Sequence, residues 1–204
     1  MPTLPSLRSS AKRQQISDAA RQLFLTQGYS RTSTDAIARA AGVSKQTLYV
    51  YFPGKVELLS AVIEGELEGL SAQPSHPSPP QSLDDLRAAL LQFALSVTGK
   101  LMRPDAVALL RLLVGEAVHL PELRSLLRQA LPAVLLTQTE QLLTACAARG
   151  LIHAPDPALG ARMFVGPVMS FVALDGLFGD ALPAAPSEAT LEALVNLFLL
   201  TVAT

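Results

Sequence analysis

An all-α fold of about nine helices follows from three features of the 204-residue sequence. Apolar residues recur three and four apart through most of the chain, and no segment keeps the strict alternation of a half-buried strand. Ser, Asp and Pro stand just ahead of these periodic stretches, where a helix start needs a side-chain acceptor or a residue without an amide proton. One run, SAQPSHPSPPQS at 71–82, carries four prolines in twelve residues and cannot continue a helix, so it separates an N-terminal head from a C-terminal domain over 83–204. His76 within that run has no metal-ligating neighbour and reads as a solvated loop histidine.

In chain order, residues 1–9 hold two prolines and read as irregular, with Arg8, Lys12 and Arg13 forming a basic arm suited to a phosphate backbone. A first helix over 10–27 buries Ile16, Ala19, Ala20, Leu23 and Phe24, and Gly28 ends it. The stretch from Ser33 to Lys55 then predicts two short helices and a tight turn. Ile37, Ala40 and Ala41 share a face of the first, Leu48 and Phe52 share a face of the second, and Gly42 between them supplies a positive φ. Ser33 and Ser44 are placed to cap the two helices, the latter by accepting from the amide of Gln46 or Thr47, and Asp35 suits the positive end of the first. With Leu48 and Phe52 inward, Lys45, Gln46, Thr47, Tyr49 and Tyr51 are left for a partner. Lys and Gln can meet base edges, a Thr methyl can meet thymine, and Tyr hydroxyls reach phosphate.

The order G-Y, then T-S-T-D-x-I-A-x-x-A-G-V-S-K-x-T-L-Y-x-Y-F-x-x-K-x-x-L, over Gly28 to Leu58, closely resembles the N-terminal domain of the TetR family of transcriptional regulators. That resemblance implies a DNA-binding domain over 1–55 whose DNA surface comprises Ser33, Thr34, Ser44, Lys45, Gln46, Thr47, Tyr49, Tyr51 and Lys55, with Lys55 on phosphate and Tyr29 in the core. Many relatives have Ser where this chain has Gly54, which would leave Lys55 less firmly aimed. RLLVGEAVHLPEL and AARGLIHAPDP are similar, more loosely, to the ligand-binding half of one subgroup. The resemblance further implies a homodimer paired through its last two helices, and hence a pseudo-palindromic operator in double-stranded DNA.

Charge supports this division. Residues 1–55 hold eight basic residues against Asp18 and Asp35, a net +6, while the rest of the chain is −7, so an attractive potential for polyphosphate sits at one end. The linking helix, 55–70, buries Val56, Leu59, Val62 and Ile63. Five more helices follow at 83–102, 105–118, 121–149 with a break near Pro132, 157–178 and 187–203, their starts marked by Ser82, Pro104, Pro121, Asp156 and Ser187. The last two carry more apolar surface than one pair can bury. This predicts a dimer interface of Val168, Phe171, Val172, Phe178, Leu191, Leu194, Val195 and Phe198. Gly166-Pro167 predicts a bend within the first of them.

A pocket in the C-terminal domain is implied by the resemblance, with Phe93, Leu109, Leu113, His119, Cys146 and Phe164 as candidate lining residues. So few charged groups favour a small, largely apolar effector. The alternative is a DNA-binding dimer without an effector. An enzyme finds little support: His76, His119 and His153 lie far apart, no HExxH or Gly-rich phosphate loop occurs, and Cys146 has no evident base. A lone cysteine excludes an internal disulfide and a cysteine zinc site, and no cofactor or metal is expected. Charge-free apolar runs of about a dozen residues fall short of the roughly 20 that a spanning helix needs, and the basic N-terminus precedes no apolar core. A cytoplasmic protein is expected.

Overall fold

The computed structural model describes residues 4–71 and 80–202; residues 1–3, the proline-rich 72–79 with His76, and the side chain of Arg8 lie outside the described residues. Among the described residues there are nine α-helices and no strand: α1 Leu4–Gln27, α2 Thr34–Ala40, α3 Lys45–Tyr51, α4 Lys55–Ser71, α5 Leu83–Leu101, α6 Pro104–Ala117, α7 Pro121–Ala148, α8 Pro157–Phe171 and α9 Glu188–Val202. A six-residue π-helical turn, Val172–Leu177, continues α8. The chain divides into two compact units, Met1–Leu67 with Ala108–Leu127, and Glu68–Val107 with Arg128–Thr204. Most of α6 and the start of α7 therefore belong with the N-terminal helices.

In the first unit, α1 begins six residues earlier than the periodicity predicts. Pro5 falls in its first turn, where a missing amide proton costs nothing, so the residues read as irregular extend the helix instead. The core holds Ile16, Ala20 and Phe24 of α1, Ile37 and Ala38 of α2, Leu48 and Phe52 at α3, and Leu58, Leu59, Val62 and Ile63 of α4. Four expected members differ. Ala19 and Leu23 flank the fully buried i, i+4 row of Ile16, Ala20 and Phe24 and are only half-buried, Ala38 rather than the exposed Ala40 joins Ile37 and Ala41 in the core, and Leu58 is fully buried in α4 where Val56 is half-buried. Tyr29 is buried against Phe24, ring centroids 5.3 Å apart, as expected. Arg21 of α1 and Glu66 of α4 pair at 2.7 Å in a half-buried site.

In the second unit, α5 packs on α8 and α9, and α8 on α9. Its start is a full capping box: Ser82 accepts from Asp85 N–H and the Asp85 carboxylate accepts from Ser82 N–H. Phe93, Phe164 and Phe198 form a chain of tilted rings at 5.9 and 5.2 Å that joins α5, α8 and α9. α7 runs unbroken through Pro132 as a 28-residue helix, against the expected break. A proline removes one hydrogen bond from such a helix, and the Leu- and Ala-rich turns on either side carry the continuation. α8 continues through Pro167, as the span expected over 157–178 requires, and passes into the π turn at Val172, where Phe178 N–H reaches back five residues to Ala173 C=O. Gly176 allows this turn to lie close to α5, since a Cβ there would stand 3.0 Å from Met102 Sδ. The 21 residues Pro157–Leu177 are long and apolar enough to cross a membrane by composition, with mean hydropathy 1.4. They include Arg162 and Asp175, and they pack Phe164, Val165, Val168 and Val172 into the core of the unit.

Candidate nucleic-acid interface

Each part of the α2–α3 pair is held by a local bond that its sequence supplies. Ser33 Oγ accepts from Ala36 N–H at 3.1 Å and Ser44 Oγ from Thr47 N–H at 3.0 Å, so both expected caps form. Between them the chain leaves α2 at Gly42, φ +62°, with Gly42 N–H on Arg39 C=O and Val43 N–H on Ala38 C=O. These paired bonds satisfy the carbonyls that a helix end leaves open. The Ala41 carbonyl is taken by Gln15 Nε2 of α1 at 2.7 Å, which ties the turn to the first helix.

The outward face is already cross-linked. Lys45 Nζ sits 2.8 Å from Asp35 Oδ1, Tyr49 and Thr34 hydroxyls lie 3.2 Å apart, and Ser44 and Thr47 hydroxyls are 2.8 Å apart. The first two links join α3 to the first turn of α2. The hydrogen bond to Asp35 raises the Lys45 pKa above its ordinary value. Gln46 and Tyr49 are exposed and Tyr51 is half-buried, so the expected DNA-facing residues Ser33, Thr34, Ser44, Lys45, Gln46, Thr47, Tyr49 and Tyr51 all belong to this one helical pair or its caps. All three tyrosines of the chain, Tyr29, Tyr49 and Tyr51, lie in the head. Of the expected basic arm, Lys12 bonds Gln15 Oε1 at 2.9 Å and the Arg13 guanidinium lies 4.8 Å from the centre of the Phe52 ring.

Lys55 is placed differently from a phosphate contact held out to solvent. Its Nζ donates to the carbonyls of Tyr29 at 2.9 Å, Thr32 at 3.1 Å and Ser30 at 3.4 Å, and lies 4.3 Å from the centre of the Tyr29 ring. The lysine is firmly aimed, at the α1–α2 turn. The Glu57 carboxylate fills the space above Gly54, 2.9 Å from where a Cβ would stand, so a serine there would displace it. Burial pushes the Lys55 pKa down, and the Glu116 carboxylate pulls it back up. Glu116, from α6, accepts from Ser30 Oγ at 2.7 Å and from Ser30 N–H at 3.4 Å. The α1–α2 turn is thus clasped by α4 and by α6.

Of the candidate effector residues, Leu109 and Leu113 are buried and His119 is exposed in the first unit, while Cys146 and Phe164 are buried and Phe93 is half-buried in the second. Phe93 and Phe164 pack with ring centroids 5.9 Å apart. Burial pushes the Cys146 thiol pKa up, against Arg149. A groove of about 600 Å³ runs between α5 and α9, lined by Leu83, Arg87, Ala193, Asn196, Leu197 and Leu200, none of them among the expected pocket residues.

Of the expected interface residues, Val168, Val172, Leu191, Val195 and Phe198 are buried in the chain's own core, Phe171 and Leu194 are half-buried, and Phe178 is 69 % exposed. The outward apolar residues are instead Leu159, Met163 and Leu174 from α8 and its π turn, and Leu197 and Leu200 from α9. Both helices are apolar on more than one side, so periodicity finds an apolar face without saying which face meets α5. Asp35–Lys45, Gln15–Ala41 and Ser30–Glu116 escaped sequence reading because each joins residues from different elements. For Ser30–Glu116 the separation is 86 positions.

Residues 16–62 match the model of bacterial regulatory proteins of the tetR family, and residues 88–201 match that of the AefR-like transcriptional repressor C-terminal domain, the latter alone more than half of the chain. The regulator SrpR of Pseudomonas putida is 49 % identical over 51 residues, which are 25 % of this chain and 24 % of that protein, so the similarity spans about a quarter of that relative's length. The solved structure of the flavonoid-responsive regulator FrrA is 31 % identical with TM-score 0.76, covering 95 % of this chain and 98 % of its own. A TetR transcriptional regulator from Agrobacterium tumefaciens is 26 % identical with TM-score 0.75, covering 94 % of this chain and 95 % of its own.

Proposed function

Because the chain belongs to the TetR family of DNA-binding transcriptional regulators, we propose that it is a cytoplasmic, non-enzymatic repressor that binds a pseudo-palindromic operator as a homodimer and releases it when a small, largely apolar effector binds. The observation that carries the DNA-reading part is the capped and cross-linked α2–α3 pair, which presents Lys45, Gln46, Thr47 and Tyr49 on one short helix of the basic head. Repression is supported by likeness to a repressor-type C-terminal domain, and an effector by likeness to a flavonoid-responsive regulator. Two copies meet through the outward apolar stripe of α8 and α9, Leu159, Met163, Leu174, Phe178, Leu197 and Leu200, while the inward set seals each chain's own core. Two-fold symmetry then places two copies of α3 in successive major grooves, which requires a palindromic site.

The test is selection of bound duplexes from a random DNA library at two salt concentrations, with Tyr49→Ala and Lys45→Ala proteins in parallel. The wild type enriches a pseudo-palindrome and the substitutions blur it. Salt-sensitive retention with no enriched motif would overturn sequence-specific regulation.

A further inference from the structure

The Lys45–Asp35 pair sits on the very surface that faces DNA, and it leaves the residue best placed to meet a phosphate without net charge. Lys45 is the first residue of α3 and Asp35 lies in the first turn of α2; both are more than half exposed, and their charged atoms are 2.8 Å apart. An exposed ion pair contributes little to stability, because water screens both charges and two long side chains lose freedom. Its effect on a polyanion is larger. A lone lysine here would neutralise one phosphate on any sequence, whereas the paired lysine must first leave a carboxylate, which itself repels the backbone. An ammonium has three donors. One is used by Asp35, and the remaining two are held in a restricted direction, the condition for meeting acceptors on one base edge rather than any nearby phosphate.

We propose that Asp35 is a specificity-determining positioning residue: it cancels the non-specific charge of Lys45 and aims the lysine's remaining donors at one base pair in the major groove. The inference rests on the DNA-binding reading of the head. Asp35 itself touches no base. The tether from Thr34 to the Tyr49 hydroxyl, next to it on the same helical turn, keeps the α2–α3 geometry when the carboxylate is changed.

The experiment compares wild type, Asp35→Asn, Lys45→Met and the double variant on a random-sequence duplex across 50–200 mM salt, and on the library selection at fixed salt. Asn keeps the shape and the helix-start chemistry of Asp. The proposal expects Asp35→Asn to bind random duplex more tightly at low salt and to neutralise about one more phosphate, which deepens the loss of affinity between 50 and 200 mM by about threefold. That extra salt dependence disappears in the double variant, and Asp35→Asn relaxes the selected sequence at one position in each half-site. An unchanged salt slope, or a change that persists without Lys45, would make Asp35 a bare surface charge and overturn the proposal. An equal loss on random and selected duplexes would mark a purely structural role and overturn it as well. A wild type that holds no duplex at low salt would overturn the DNA-binding reading and this one with it, an outcome separate from the others.

Discussion

Lys55 shows how one side chain can stabilise a segment without entering the hydrophobic core. Three carbonyls of the α1–α2 turn converge on its ammonium, and each hydrogen bond from a charged donor contributes more than a neutral one. Lys55→Met is expected to destabilise the head by about 1–3 kcal/mol, read by urea unfolding of the head. The same lysine fixes a pH dependence. Its folded-state pKa lies below the ordinary 10.5, so in the window between the two the unfolded chain keeps a proton that the folded chain has lost. Stability therefore climbs as pH rises through that window, and the climb is absent in Lys55→Met; equal slopes for the two proteins would contradict the assignment. The residues of this clasp were only partly legible. Lys55 stood out by its motif position, but its partners are backbone atoms and a glutamate on α6, and neither leaves a mark in local sequence.

At the scale of the element, caps and turns were the most legible features because they depend on residues within four positions of one another. Ser33, Ser44, Ser82 and Asp156 all cap as their spacing predicts. Gly42 is where the α2–α3 turn is least tolerant of substitution: Gly42→Ala forces a Cβ into the left-handed region, at about 1–2 kcal/mol. Since Gln15 also binds the adjoining Ala41 carbonyl, the loss should appear first as faster amide exchange in α2 and α3 while α7 and α8 keep their protection. The positions of α1 and α7 were less legible. Proline marks an irregular start before α1 and a break in α7, yet Pro5 falls in the first turn of α1 and α7 runs through Pro132, whereas the continuous helix expected across Pro167 is the one that forms. Long helices packed along one side tolerate a single missing bond that a short exposed one would not.

For the molecule as a whole, burial decides what periodicity leaves open. The apolar residues of α8 and α9 divide into a set that locks onto α5 through Phe164 and Phe198 and a set that faces outward. Leu197→Glu and Met163→Glu should leave each chain folded, because both sites are exposed, and should shift sedimentation from dimer to monomer. Val195→Glu, at a fully buried site, should unfold the second unit instead. A Leu197→Glu protein that sediments as the wild type does would place the association surface elsewhere. The placement of the tyrosines makes such experiments easier to read. The chain has no tryptophan, and its three tyrosines all belong to the head, Tyr29 against Lys55 and Tyr49 and Tyr51 on α3. Ultraviolet emission from the unmodified protein is therefore a one-ended lamp: it reports the state of the DNA-reading end and stays dark to the rest. Any change in that light on adding a non-absorbing small molecule that binds elsewhere in the chain would be a direct optical signal that the message has reached the head.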